Sequence, residues 1–153
     1  WLGDAVAGLL FATFFVTSAL FQLVSGNATD AFGYRRVFVF VAVASTLTTG
    51  LLPFVSGAAP LFALVALMGI RSGAAPPTSS YVIASLPDEI EGTMWGAIRS
   101  LFMLVGALGS SFVGVLADNG FFGGAFVALA AISAGAGLLY LTVPPTPAGE
   151  NDA

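Results

Sequence analysis

The sequence predicts an all-α, polytopic membrane protein with five transmembrane helices, and two observations support this fold class. Of its 153 residues, 58% are hydrophobic and only 8% are charged, and the mean hydropathy is +0.98. Soluble domains carry about 25% charged residues, so this chain lacks the polar groups that cover a surface facing water. Its apolar runs are also continuous rather than alternating, which favours helices over the strands of a membrane barrel.

The positions of the charges and prolines predict where each span lies. A helix that crosses a bilayer needs roughly 20 apolar residues. The run that begins at Val37 is too long for one span, and Pro53, Gly57 and Pro60 divide it in two. Residues 1–143 are therefore expected to hold five transmembrane helices, at 5–25, 37–56, 61–85, 94–117 and 121–143. Residues 144–153 are expected to form a short cytoplasmic tail.

The arginines predict the orientation of these spans. Arg35 and Arg36 lie between the first and second spans, and Arg99 lies in the first turns of the fourth. Arginine-bearing loops face the cytoplasm, so we expect a multi-pass plasma-membrane protein with its N-terminus outside and its C-terminus inside. Because the chain begins at Trp1 almost inside a span and has an odd number of spans, we also expect further sequence upstream.

Several functional classes are excluded by what the composition lacks. There is no Cys and no His, so thiolate sites, cysteine nucleophiles and the usual general base near neutral pH are absent. The four basic residues are all arginines and form no run that would neutralise a row of phosphates, which argues against nucleic-acid binding. We therefore expect no enzymatic activity, no metal site and no cofactor.

The segment from Gly26 to Arg36 is interpreted as the loop between the first two spans. Gly26 would let the first span approach a neighbouring helix, and Asp30 would place a carboxylate just beyond the membrane edge. Gly33 permits a tight reversal, and Arg35 and Arg36 anchor the second span at an anionic membrane surface. An ordinary turn followed by surface arginines explains the same residues equally well.

This segment resembles the signature loop of the major facilitator superfamily of secondary transporters, which runs G-x-x-x-D-R-x-G-R-R/K. The matching residues are Gly26, Asp30, Gly33 and Arg35, with Arg36 next. The chain departs from the pattern at Ala31 and Tyr34. In that family the aspartate is thought to cap a helix of the opposite half of the molecule, so the resemblance implies a cytoplasmic gating role for Asp30.

The rest of the chain resembles the same family. The residues that carry this resemblance are Gly69, Gly73 and Pro76 for the tenth helix, 83–92 for the loop before the eleventh, and Gly106, Gly109, Gly114 and Asp118 for the eleventh helix and the loop after it. Glu91 stands where the family often has an arginine. The resemblance implies helices eight to twelve of a 12-helix fold, with helices two to six as the alternative. It also implies three partners: the lipid bilayer, a missing N-terminal half and a small-molecule substrate.

Arg71 is the most specific single candidate for a residue of the substrate pathway. It lies about ten residues into the third span, where a charge costs at least about 2.5–3.5 kcal/mol and should face protein or water. Pro76 and Pro77 predict a helix break, and Thr78 lies on the same helix face as Arg71. A structural tie between helices explains Arg71 equally well. Further candidates for a polar pathway are Thr17 and Gln22.

Two stripes of small residues predict close helix packing in the last two spans. Gly106, Ser110 and Gly114 recur at intervals of four in the fourth span, as do Ala131 and Gly135 in the fifth. The sequence is thus expected to form part of a secondary transporter that moves a small solute by alternating access. A membrane scaffold or subunit without transport activity is the alternative.

Overall fold

Every regular element in the computed structural model, which describes residues 3–87 and 89–144, is helical. The α-helices are α1 (Asp4–Phe32), α2 (Tyr34–Leu51), α3 (Ala58–Met68), α4 (Ala75–Ile83), α5 (Glu91–Asp118) and α6 (Phe122–Tyr140), with 3-10 segments at Leu52–Phe54 and Gly69–Ala74. They form five helices long and apolar enough to cross a membrane: Asp4–Phe32, Tyr34–Phe54, Ala58–Ile83, Glu91–Asp118 and Phe122–Tyr140. This confirms the predicted fold class. Most of the expected tail, residues 145–153, lies outside the described residues.

The first helix is longer than the sequence suggested. The expectation of a loop from Gly26 to Arg36 is wrong in its extent, because α1 continues to Phe32 and only Gly33 separates it from α2. Polar residues do not stop a helix if their hydroxyls bond within it, and Thr29 Oγ1 donates to the Ser25 carbonyl at 2.8 Å. At 29 residues α1 is about 43 Å long, so its last turns extend beyond a hydrocarbon core of about 30 Å.

The third span changes its helix type near its centre. The chain leaves the α-conformation at Gly69, follows a 3-10 segment to Ala74, and resumes as α4 from Ala75. Pro76 and Pro77 stand in the first turn of α4, where a missing N–H group is tolerated. Neither proline has an N–H group to donate to the carbonyl four residues earlier, and those carbonyls belong to the 3-10 segment Gly69–Ala74.

Close contact between backbones joins α1 to this irregular segment. A Cβ atom added to Gly69 would lie 2.8 Å from the backbone nitrogen of Ser18, and one added to Gly73 would lie 3.3 Å from the Phe21 carbonyl oxygen. The Ser72 hydroxyl donates to the Ser18 hydroxyl at 3.0 Å. Small residues and interhelical hydroxyl bonds are what hold helices together in lipid, where burial of apolar surface adds little.

A second close packing joins α2 to α6, and it corrects the expected stripe in the last span. Added Cβ atoms at Gly50 and Gly137 would lie 3.3 Å from Ala130 Cβ and 3.2 Å from Ala42 Cβ, respectively. The predicted stripe residues Ala131 and Gly135 are exposed instead. Because α6 is apolar on all sides, the residue pattern does not select which of its faces is packed.

Helix α5 lies at the edge of the bundle. Within α5, all of whose residues are described, no residue is buried. Added Cβ atoms at Gly106, Gly109 or Gly114 would meet nothing within 4 Å, so the expected packing of this stripe does not occur among the described residues. The same is true of Gly26 in α1. The position of α5 leaves a groove between it and the third span.

Candidate functional site

A cavity of about 490 Å³ lies between the third span and α5, and we call it the arginine groove. Its volume falls within the range of about 300–1,000 Å³ that is typical of small-molecule sites. The lining residues are Arg71, Ala74, Ala75, Thr78 and Ser79 from the third span, and Trp95, Arg99, Phe102 and Met103 from α5. The groove therefore combines two cations and two hydroxyls with an aromatic and apolar wall.

The two arginines enter the groove from antiparallel helices. Arg71 lies about 18 Å along the helix axis from the Ile83 end of its span, and Arg99 lies about 12 Å from the Glu91 end of α5. Those two ends are joined by a short connection, so the two arginines lie at comparable distances from it, each within a helix long and apolar enough to cross a membrane. Both arginines are exposed at the bundle surface, where the groove is.

The charges of the arginine groove are not balanced by the residues that form it. None of the described residues that line it is acidic. The described acidic residues stand at helix ends or in connections: Asp4, Asp30, Glu89, Glu91 and Asp118. Two guanidinium groups that line one cavity repel each other, whereas an anion placed between them relieves both charges. The groove is thus chemically suited to a small anionic solute.

Thr78 lies on the same side of the third span as Arg71, in the groove, as its spacing of seven residues predicts. The neighbouring Ser79 donates to the Ala75 carbonyl at 3.0 Å, so its hydroxyl oxygen still has a free acceptor position. Thr17 and Gln22 lie elsewhere. Thr17 donates to the Thr13 carbonyl at 2.9 Å and faces the third span, and Gln22 is exposed on α1. The structure does not bring these two residues to Arg71.

The segment that resembles a signature loop forms the junction of α1 and α2. Gly33 has φ 81° and ψ 156°, a conformation that is essentially restricted to glycine, and its N–H group donates to the Thr29 carbonyl at 2.8 Å. Asp30, Arg35 and Arg36 are exposed around this turn. In the part of the chain that the structure describes, no group of three or more acidic, His or Cys side chains is arranged to hold a metal ion.

Comparison with known proteins identifies the family. Residues 2–153 match the family model described as Major Facilitator Superfamily. The chain belongs to this superfamily. It is therefore a multi-pass membrane protein of a transporter family, and its named relatives are transporters rather than enzymes.

Three curated superfamily members illustrate the relationship. The chain is 29% identical to the multi-drug resistance efflux pump PmrA of Streptococcus pneumoniae, over 71% of this chain and 27% of the pump. It is 30% identical to the probable sulfoacetate transporter SauU of Cupriavidus necator, over 87% and 31% of the two chains. It is 30% identical to the probable plastidic glucose transporter 2 of Arabidopsis thaliana, over 76% and 24%. The chain thus spans less than a third of the length of these superfamily members.

Arg99 is the site residue that sequence reasoning missed. From the sequence, Arg99 served only to orient the fourth span, whereas the structure places it in the groove with Arg71. Trp95 and Ser79 were missed as well. The available signal was the short connection after Ile83, because two antiparallel helices joined closely bring residues at similar distances from that connection side by side.

The turn at Gly33 between α1 and α2 allows a direct test of its backbone conformation. We expect Gly33→Ala to lower the free energy of unfolding by about 1–3 kcal/mol, because a Cβ atom is strained at this φ and ψ. Gly26→Ala is the matched control, since it lies in the same segment but in open space within a helix. We expect it to be neutral or slightly stabilising. The measurement is thermal unfolding in detergent, followed by circular dichroism. Equal melting temperatures for Gly33→Ala and Gly26→Ala would contradict this account.

Proposed function

We propose that this chain comprises helices eight to twelve of a secondary transporter, which moves a small solute by alternating access together with an N-terminal half. The family match and the likeness of Gly69, Gly73 and Pro76 to the tenth helix of the superfamily support this assignment. Asp30, with Arg35 and Arg36, would then act in the gate on the cytoplasmic side. The positive-inside tendency of these two arginines supports a cytoplasmic α1–α2 turn and an N-terminus outside the plasma membrane.

The pair of arginines in one groove is the observation that supports an anionic substrate. None of the described lining residues is an acid that compensates these charges, and a carboxylate, sulfonate or phosphate accepts hydrogen bonds from guanidinium groups. The named relative SauU, whose alignment covers 87% of this chain, is described as a probable sulfoacetate transporter, which agrees with an anionic substrate. The proposed substrate is therefore a small organic anion bound between Arg71 and Arg99.

A scaffold without transport activity is the second candidate. It accounts for the close packing of α1 with the third span and of α2 with α6. It does not account for two arginines on the wall of a cavity whose described lining residues include no acid. A purely structural arginine within a membrane span is expected to find a carboxylate or carbonyl partner, so the groove favours the transporter.

Uptake measurements test the proposal. We expect the product of the complete open reading frame to accumulate a small organic anion in proteoliposomes. The 153-residue chain, purified and reconstituted in the same way, is expected to give only the leak of empty vesicles, because the proposed pathway runs between two halves. Accumulation by the short chain would overturn the two-half proposal. Absence of uptake by the complete product, tested against carboxylates, sulfonates and phosphates, would favour the scaffold.

A further inference from the structure

Two adjoining cavities lie at the corner between α1 and α2, and they share no lining residue with the arginine groove. The first, of about 490 Å³, is walled mainly by apolar side chains of α1 and α2, and Ile70 of the third span closes its back. The second, of about 680 Å³, lies beside the turn and contains both Arg35 and Arg36. The residues shared by the two cavities are Phe32, Arg36 and Phe40.

The apolar cavity has the length of one lipid leaflet. Its wall along α1 runs from Phe32 back to Phe21, a distance of about 16 Å along the helix axis. The hydrocarbon core of a bilayer is about 30 Å thick, so each leaflet contributes about half of this. A cavity of this length, which runs inward along α1 from the α1–α2 turn, matches an acyl chain better than a water-soluble ligand.

The chemistry of the wall also favours a hydrocarbon chain over another helix. The residues that line the apolar cavity include the bulky Phe21, Phe32 and Phe40, together with the small Ser25, Ala28 and Gly73. Helices that pack together in membranes present small residues to each other, as α1 and the third span do at Gly69. A flexible chain, by contrast, fills the space between large aromatic rings without close backbone approach.

Positive charge is concentrated where the headgroup of such a lipid would lie. Arg35 and Arg36 are exposed in the first turn of α2, and the N-terminus of that helix adds its own partial positive charge. None of the described residues that line either cavity is acidic, and the exposed Asp30 lines neither. The protein as a whole carries a formal net charge of -4, so attraction of an anion here is local.

We propose that the corner between α1 and α2 binds one phospholipid with an anionic headgroup. Its acyl chain occupies the apolar cavity between Phe21 and Phe32, and its headgroup contacts Arg35 and Arg36. Arg36 lines both cavities and therefore stands at the boundary between chain and headgroup. This site is separate from the arginine groove and does not depend on which solute is transported.

Lipid retention measured by native mass spectrometry tests this proposal on the 153-residue chain in a mild detergent. Phosphatidylglycerol and phosphatidylcholine with identical acyl chains are added in equal amounts. The unmodified chain is expected to retain phosphatidylglycerol preferentially, by about fivefold for each arginine. Equal retention of the two lipids would overturn the proposal, and this comparison requires no variant to fold.

Matched variants separate the headgroup contact from general electrostatics. Arg36→Gln is expected to lower phosphatidylglycerol retention about fivefold, whereas Asn119→Asp, which lowers the net charge by the same amount at the C-terminal end of α5, leaves it within about twofold. Arg36→Lys should restore most of the retention. An equal loss in both variants would mean that only the overall charge matters, and would overturn the site.

The acyl chain and the source of the anion are tested separately. Ala28→Phe places a ring inside the apolar cavity and is expected to reduce retention of both lipids to a similar degree. Retention that is unaffected by Ala28→Phe would refute the acyl position. Excess inorganic phosphate is expected to leave phosphatidylglycerol bound, because phosphate competes only for the arginine contacts of the headgroup and does not displace the acyl chain. Complete displacement by phosphate would show a free-anion site instead of a lipid site.

Discussion

Replacing Arg71 with glutamine in the complete transporter is expected to lower the initial rate of anion uptake at least tenfold, with an unchanged amount of protein in the membrane. A hydrogen bond to a charged group contributes about 1.5–3 kcal/mol, which corresponds to a factor of roughly 10 to 150 in affinity. Arg99→Gln is expected to have a similar effect, because both side chains line one groove. Uptake of labelled anion into vesicles, normalised to the transporter present, measures this directly.

A double-variant comparison distinguishes a shared ligand from two separate roles. If one anion bridges the arginines, the loss in the Arg71→Gln/Arg99→Gln protein should be smaller than the sum of the two single losses in free energy. Ser100→Ala provides a control, since this side chain is exposed beside Arg99 and does not line the groove. A parallel fall of uptake and membrane level for Arg71→Gln would instead support its role as a structural tie.

The sequence predicted part of this groove and could not predict the rest. A charge within an apolar span has few acceptable environments, so Arg71 was recognisable, and helical spacing connected it to Thr78. Arg99 was not recognisable in the same way, because nine residues into a helix is compatible with a surface anchor as well as with a pathway. Its place in the groove depends on which face of α5 lies against the third span, and the short connection after Ile83 predicts only that the two helices are antiparallel neighbours.

Gly69→Ala is expected to destabilise the chain by about 1–3 kcal/mol and to lower its melting temperature in detergent. The added methyl group would meet the Thr17 hydroxyl and would lie 2.8 Å from the backbone nitrogen of Ser18, so α1 and the third span must separate. Their separation would also lengthen the hydrogen bond between Ser72 and Ser18, which is 3.0 Å. Thermal unfolding followed by circular dichroism measures the effect.

Gly109→Ala is the matched control for this prediction. It makes the same chemical change within a membrane-spanning helix, but an added Cβ there meets nothing within 4 Å. We expect it to leave the melting temperature unchanged or to raise it slightly, because alanine favours the helix. A loss of stability at Gly109 as large as at Gly69 would contradict the packing described for α5, and would indicate that its small-residue stripe is engaged.

Some aspects of the fold can be predicted from the sequence, and others cannot. The number and helical nature of the spans follow from hydropathy, since an apolar run in lipid must satisfy its own backbone hydrogen bonds. The end of α1 did not follow, because Thr29 and Asp30 are polar and yet helical. The packed face of α6 did not follow either, since Ala130 and Ala131 are equally plausible until α2 is in place.

Trp95 gives the arginine groove an optical reporter. The sequence contains two tryptophans, and the other one, Trp1, is removable by a Trp1→Phe substitution. The remaining indole lines the same cavity as Arg71 and Arg99, so its fluorescence depends on whether that cavity holds water, detergent or an anion. Occupancy of the groove can therefore be followed by emission wavelength and quenching in the isolated chain, without a vesicle and without any movement of solute.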